Sequence, residues 1–199
     1  MYKDKKTPVV RMAKIKLYHD WRLTMKKIRY LLLAAIGVAL LCNPFNLAYP
    51  RLVYINYTGS LPNGIYIAIP GFGIRSGDIA AFNMPSDLYE FSMKRGYISD
   101  RLEKPYLIKR VMTPGNIYEN RDNNLYINRE YIGPIHPADP KNRPLDTIPE
   151  GIHVVPEHTL FAFTLHPQSF DSRNYGPIDD TLVVSRVIPL VTFTYQKNT

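Results

Sequence analysis

Tyr106-Leu-Ile-Lys-Arg-Val-Met-Thr-Pro-Gly115 is a run of strand-forming residues closed by a Pro-Gly turn. Side chains alternate along a strand, so Leu107, Lys109 and Val111 share one face while Ile108, Arg110 and Met112 share the other. Lys109 is thus flanked by apolar neighbours. Such a setting desolvates an ammonium and lowers its pKa from about 10.4. A neutral lysine can act as general base for a serine, which is otherwise a weak nucleophile.

Outward from this stretch, short β-type runs recur at residues 52–57, 64–69, 78–82, 116–119, 124–127, 130–132, 159–164 and 182–189. Pro62-Asn63-Gly64, Ser76-Gly77-Asp78, Pro114-Gly115-Asn116 and Asp122-Asn123-Asn124 supply the turns between them. Residues 87–96 form the one predicted short helix, and the Pro-rich segment 133–149 reads as an extended connection. The pattern predicts a mainly β domain over residues 51–199, a barrel or folded sheet, with an inserted ribbon or loop at 117–150. Composition agrees: 17 Pro, 11 Gly and 15 Tyr in 199 residues favour strands and turns over a helical bundle. With 45% hydrophobic and 21% charged residues, the chain is neither disordered nor a polytopic membrane protein. The single Cys excludes an internal disulfide framework and a cysteine-only zinc site.

The N-terminal end has a different character. Residues 1–29 hold ten Lys/Arg and two acids, so this tail carries the entire net charge of +8 and the remainder is neutral. A nucleic-acid partner is therefore not expected. From Tyr30 to Pro50 the chain runs 21 residues without a charge. A bilayer core of about 30 Å needs roughly 20 helical residues. Tyr30 and Tyr49 fall at the two ends, where interfacial aromatics belong. Residues 1–29 are thus expected as a basic cytoplasmic tail, 30–50 as a single membrane anchor, and 51–199 as lying outside the cytoplasm. Two other readings compete for the run, a cleaved signal peptide and a buried core helix. Against the first, the apolar core ends in Cys42-Asn43-Pro44, without a small-x-small cleavage site.

Two more segments carry chemistry. In Asn56-Tyr-Thr-Gly-Ser-Leu-Pro-Asn-Gly-Ile-Tyr66, the Ser60 hydroxyl sits in a tight Gly/Pro turn directly after a strand. His166-Pro-Gln-Ser-Phe-Asp-Ser-Arg-Asn-Tyr-Gly-Pro177 is a dense polar turn, able to orient a neighbouring amine. Taken singly, each has a structural reading: a turn serine, a snorkelling lysine, a surface Asp–Arg pair. A serine–histidine hydrolase would draw on His153, His158 or His166, but no Gly-x-Ser-x-Gly elbow exists. The spacing of these histidines matches no metal-ligand pattern. Neither a cofactor nor a metal is implied. An anchored, non-catalytic scaffold is the non-enzyme alternative.

Ser-x-Pro-x-Gly-x-Tyr at Ser60, Gly77-Asp78, Lys-Arg-Val-x-x-Pro-Gly at Lys109 and Ser-x-Asp-Ser-Arg at Ser169, in that order, resemble the membrane-bound type I signal peptidases with a Ser/Lys dyad. The forms Thr-Gly-Ser-Leu-Pro-Asn-Gly-Ile-Tyr and Ser-Phe-Asp-Ser-Arg-Asn-Tyr-Gly-Pro look closest to the TraF-type branch, the conjugative-transfer peptidases that mature pilins. Three positions depart from the general pattern: Leu61 where Met is usual, Leu165-His166-Pro167-Gln168 before the last block, and Asn116 where an acid is common. The resemblance implies a signal-peptidase-like β fold with Ser60 as nucleophile and Lys109 as general base. Ser169 would orient the amine, and Thr58 with the Ser60 N–H would form the oxyanion hole. Asp171 and Arg173 would support the Ser169 turn as an ion pair. The implied enzyme is a single-pass protein of the bacterial inner membrane, N-terminus cytoplasmic and catalytic domain periplasmic. It would cleave a pilin or other membrane-inserted precursor, with the acyl-enzyme resolved by water or by the substrate's own amine. A general signal peptidase acting on secretory precursors is the alternative.

Overall fold

The computed structural model describes residues 8–42, 51–69, 73–98 and 105–193. The chain divides into two units, Met1–Arg51 and Leu52–Thr199. The first holds α1 (Pro8–Cys42), one continuous helix that runs through residues 29 and 30, where the sequence divides basic tail from apolar run. Among the described residues, no helix is long and apolar enough to cross a membrane. The second part of the expected anchor, residues 43–50, lies outside the described residues.

The second unit is mainly β. A seven-stranded sheet contains β1 (Val53–Asn56), β2 (Asn63–Ile69), β3 (Ile79–Asn83), β4 (Tyr106–Met112), β9 (Thr159–Phe163), β10 (Ile178–Asp179) and β11 (Val183–Phe193). Its spatial order is β1-β2-β11-β3-β4-β9-β10, so it is an open folded sheet rather than a closed barrel. Every pairing is antiparallel. The last strand therefore lies between the second and the third. Its close approach explains Gly64: a Cβ there would collide with the Val191 carbonyl, just past the irregularity between Pro189 and Val191.

The expected insertion at 117–150 is a second sheet, not a ribbon or loop. Strands β5 (Ile117–Arg121), β6 (Asn124–Ile127), β7 (Glu130–Pro134) and β8 (Gly151–Val154) pair in the order β7-β6-β5-β8. Two tight loops fold the first three. Asp122-Asn123 and Asn128-Arg129 all have positive φ, between 49° and 72°, the backbone that two-residue hairpins need to match strand twist. Strand β8 extends the sheet to Val154, and residues 135–150 form the long connection that reaches it.

Three apolar clusters fasten the unit together. Met112, Phe161 and Phe163 of the large sheet pack with Tyr118, Leu125 and Ile127 of the small one. Strand β3 serves both faces of the large sheet. Ala81 joins Tyr66, Ile108 and Val187 on one side, while Ala80 and Phe82 join Val111 and Ala162 on the other. A strand buried on both faces reads as a nearly continuous apolar run, and Ile79-Ala-Ala-Phe82 is one. The short helix α2 (Ser86–Arg95) ends at Gly96, whose φ of 70° closes it. One-turn α3 (Ser172–Tyr175) follows Asp171, whose carboxylate caps it through the Arg173 N–H.

Candidate active site

Ser60 lies in the turn that links β1 to β2. Gly59, with φ of 71°, reverses the chain directly before it. The turn is pinned from inside by Asn56, the last residue of β1, which is buried. Its Nδ2 donates to the Leu61 carbonyl at 3.0 Å and the Pro62 carbonyl at 3.2 Å. Its Oδ1 accepts from the Thr58 hydroxyl at 2.8 Å and from the Thr58 N–H at 3.4 Å. Asn63 holds the other side, accepting from the Gly59 N–H at 3.1 Å. The two hydroxyls of the turn, Thr58 Oγ1 and Ser60 Oγ, stand 3.2 Å apart.

Lys109 extends from the middle of β4 and is buried. It pairs in register with Ala80, between Leu107 opposite Phe82 and Val111, on the face of β4 lined by apolar residues. Its Nζ donates to Ser169 Oγ at 2.9 Å. Burial lowers the Lys109 pKa from 10.5 to about 8, with Asp171 opposing the shift and Arg173 assisting it. About one molecule in ten then carries a neutral amine at pH 7, against fewer than one in a thousand for an ordinary lysine.

The turn that carries Ser169 is not a surface turn. Asp171 and Arg173 are both fully buried and joined side on, Nε to Oδ1 at 2.9 Å and Nη2 to Oδ2 at 2.7 Å. Arg173 also donates to the carbonyls of Pro134, Thr164 and His166 at 3.0–3.2 Å. Asp171 accepts from the N–H groups of Thr164 and Arg173. Every charge is met by several partners, the condition under which a buried ion pair is tolerated. The pair binds the end of β9, the Ser169 turn and the end of β7 into one block.

Thr58, Ser60, Lys109 and Ser169 line one cleft of about 1380 Å³. Within it, Thr58 touches Ser60 and Lys109 touches Ser169, while no hydrogen bond joins Ser60 to Lys109. Unliganded sites often show catalytic contacts long, and they tighten when substrate binds. The far wall of the cleft is a strap, residues 136–145, fastened to the end of α2. Asp139 takes the Tyr97 hydroxyl and the Arg143 Nε, each at 2.7 Å. Burial pushes the Asp139 carboxyl up, but the bonds from Arg143, Tyr97 and two backbone N–H groups outweigh it and hold the pKa well below the carboxylate range. Phe170, next to Ser169, stacks on Phe91 of α2.

The histidines take other roles. His153 stacks on Tyr118 and bonds the Pro149 carbonyl. His166 lines the cleft and accepts from the Gln168 N–H. His158 has a positive φ of 60° in a turn. None bonds either cleft serine among the described residues. Asn56 and Asp139 are the parts of the site that sequence reading missed. Asn56 shows in the sequence as the first residue of the Ser60 segment with no role of its own, and Asp139 only as one residue of a Pro-rich connection.

None of the curated proteins matches the chain in sequence. Among solved structures, a signal peptidase I from Enterococcus faecalis aligns over 59% of this chain and 98% of its own, with 22% identity and a TM-score of 0.35. Residues 25–191 match the signal peptidase family, peptidase S26, and the chain belongs to that family of serine peptidases.

Proposed function

We propose that the chain is a membrane-anchored endopeptidase in which Ser60 and Lys109 form the catalytic dyad, and that its substrate is a conjugative pilin precursor. The observation that carries the dyad is the buried Lys109 amine, held at 2.9 Å by Ser169 with a pKa lowered to about 8. A serine hydroxyl needs a base of this kind, and no histidine bonds it.

The reaction is acyl transfer. Ser60 Oγ attacks the scissile carbonyl carbon while its proton passes to neutral Lys109 Nζ. The resulting oxyanion receives hydrogen bonds from the Ser60 N–H and the Thr58 hydroxyl. Collapse expels the new amine, which takes the proton from Nζ and leaves an ester on Ser60. Water, or the substrate's own N-terminal amine, then attacks that ester; the second route closes a cyclic product. Ser169 keeps Nζ in place throughout. Each preorganised oxyanion donor is worth roughly 3–4 kcal/mol, judged by removing one. Strand β1 is an edge of the large sheet, so a substrate can add to it as an extended strand through main-chain hydrogen bonds.

The anchor at 30–50, the cytoplasmic tail and the periplasmic placement of the catalytic domain belong to the same proposal. Support comes from the charge asymmetry around the uncharged run and from Leu31, Leu32 and Leu33, which are 58–70% exposed on α1. The TraF-type substrate rests on the forms of the Ser60 and Ser169 blocks.

Mass spectrometry of a candidate pilin precursor, co-expressed with wild type, Ser60→Ala or Lys109→Ala, tests the reading. Shortening by wild type alone is expected, and a further loss of about 18 Da relative to the linear product marks cyclisation. Processing by either variant removes the dyad. Broad cleavage of secretory precursors assigns the chain to general signal-peptide removal instead.

A further inference from the structure

We infer that Asn56 is a positioning residue for this reaction, acting through the Thr58 hydroxyl; the inference rests on the Ser60–Lys109 reading above. The hydrogen bonds fix which way its carboxamide points. The Leu61 and Pro62 carbonyls can only accept, so the amide nitrogen must face them. Oδ1 then faces Thr58, and the Thr58 N–H, which can only donate, points at the same atom. Thr58 therefore commits its single hydroxyl proton to Asn56 Oδ1 at 2.8 Å.

That commitment decides the hydroxyl pair. With its proton on Oδ1, Thr58 Oγ1 presents lone pairs to Ser60 Oγ, 3.2 Å away, and Ser60 is the donor of that contact. In the resting site the Ser60 proton rests on Thr58, and it passes to Lys109 Nζ only once Ser60 and Lys109 have closed to hydrogen-bond distance around a substrate. When the oxyanion forms, the Thr58 O–H turns from Oδ1 to the negative oxygen. Oδ1 is not stranded by this turn, because the Thr58 N–H at 3.4 Å remains on it. Asn56 thus holds Thr58 as an acceptor before attack and releases it as a donor afterwards, while its amide nitrogen keeps the turn in shape. A side chain without the carbonyl would leave the Thr58 hydroxyl free to rotate, and the order of the two roles would be lost.

A test that does not depend on the natural substrate uses N-acetyl-alanine p-nitrophenyl ester on the purified full-length chain. Nitrophenolate release gives the acylation rate, and peptide mass mapping locates the acyl group. Wild type, Asn56→Ala, Thr58→Val, the double variant and Ser60→Ala are compared over pH about 6 to 9.5. Asn56→Ala is expected to lower the plateau rate about 10- to 100-fold. The midpoint of its pH profile should stay at the wild-type position, since Ser169 holds Lys109 independently of Asn56. Thr58→Val should cost about 100- to 1000-fold in wild type and at least about tenfold less than that in Asn56→Ala. Asn56→Asp, which keeps an acceptor for Thr58 but loses the two donors, should retain the full wild-type cost of Thr58→Val and guards against a misfolded alanine variant. An unchanged plateau in Asn56→Ala, an equal cost of Thr58→Val in both backgrounds, or a shifted midpoint overturns the inference while the dyad stands. A wild type left unacylated, or a Ser60→Ala chain still acylated, overturns the dyad and this inference with it.

Discussion

Lys109, the proposed general base, sets stability against the proposed chemistry within one side chain. Its pKa is about 8 in the folded chain and near 10.5 when unfolded. Between those values the unfolded state binds more protons, so folding stability rises as pH rises from about 8 toward 10.5. Below about 8 the folded chain bears the full penalty, on the order of 3 kcal/mol for such a shift. Lys109→Met is therefore expected to melt above wild type at pH 7, with the gap narrowing at alkaline pH. Calorimetry across that range checks it, and a variant less stable than wild type at pH 7 would mean that the Ser169 bond outweighs desolvation. Activity runs the same way: the acylation rate should climb through a midpoint near 8 as the amine loses its proton.

Among the elements, the Ser169 turn is braced by a buried ion pair. Arg173→Met removes five side-chain hydrogen bonds and leaves Asp171 buried without its ion-pair partner. A loss of roughly 3–5 kcal/mol is expected, read as a lower denaturant midpoint. A change under about 0.5 kcal/mol would mean the block is not structural. The sequence read this segment as a dense polar turn, because Ser, Asp and Asn in succession favour turns wherever they occur. That the turn is buried depends on β7 and β9 closing around it, and partners 39 residues apart leave no local pattern. The same limit explains the second sheet. Turn residues at 122–123 were visible, and β6 was delimited as it stands. Gly151-Ile-His-Val154 was missed, since four residues between a long connection and a proline carry no clear alternation. The burial of Lys109 was legible because the strand pattern of β4 is local. Asn56 was not, because its importance lies in which atoms its carboxamide meets across the turn.

For the whole molecule, the order β1-β2-β11-β3-β4 puts Ser60 and Lys109 in different halves of the large sheet. The turn between β1 and β2 supplies the hydroxyls, and β4 supplies the amine. Among the described residues, only β11 pairs with both halves, with β2 along residues 186–193 and with β3 along 183–187. A chain ended at residue 182 is expected to lose activity and cooperative unfolding together, since β2 and β3 then lack a shared neighbour; a truncated chain with a sharp wild-type melt would refute this. Pairing strands so distant in sequence also makes folding slow relative to a helical protein of equal size. During synthesis β4, which bears Lys109, leaves the ribosome well before β11, which joins its half of the sheet to the half bearing Ser60. On the proposed reading of Ser60 and Lys109 as the dyad, the nascent chain carries both groups before the strand that joins their halves exists, and activity is expected only after β11 has been made.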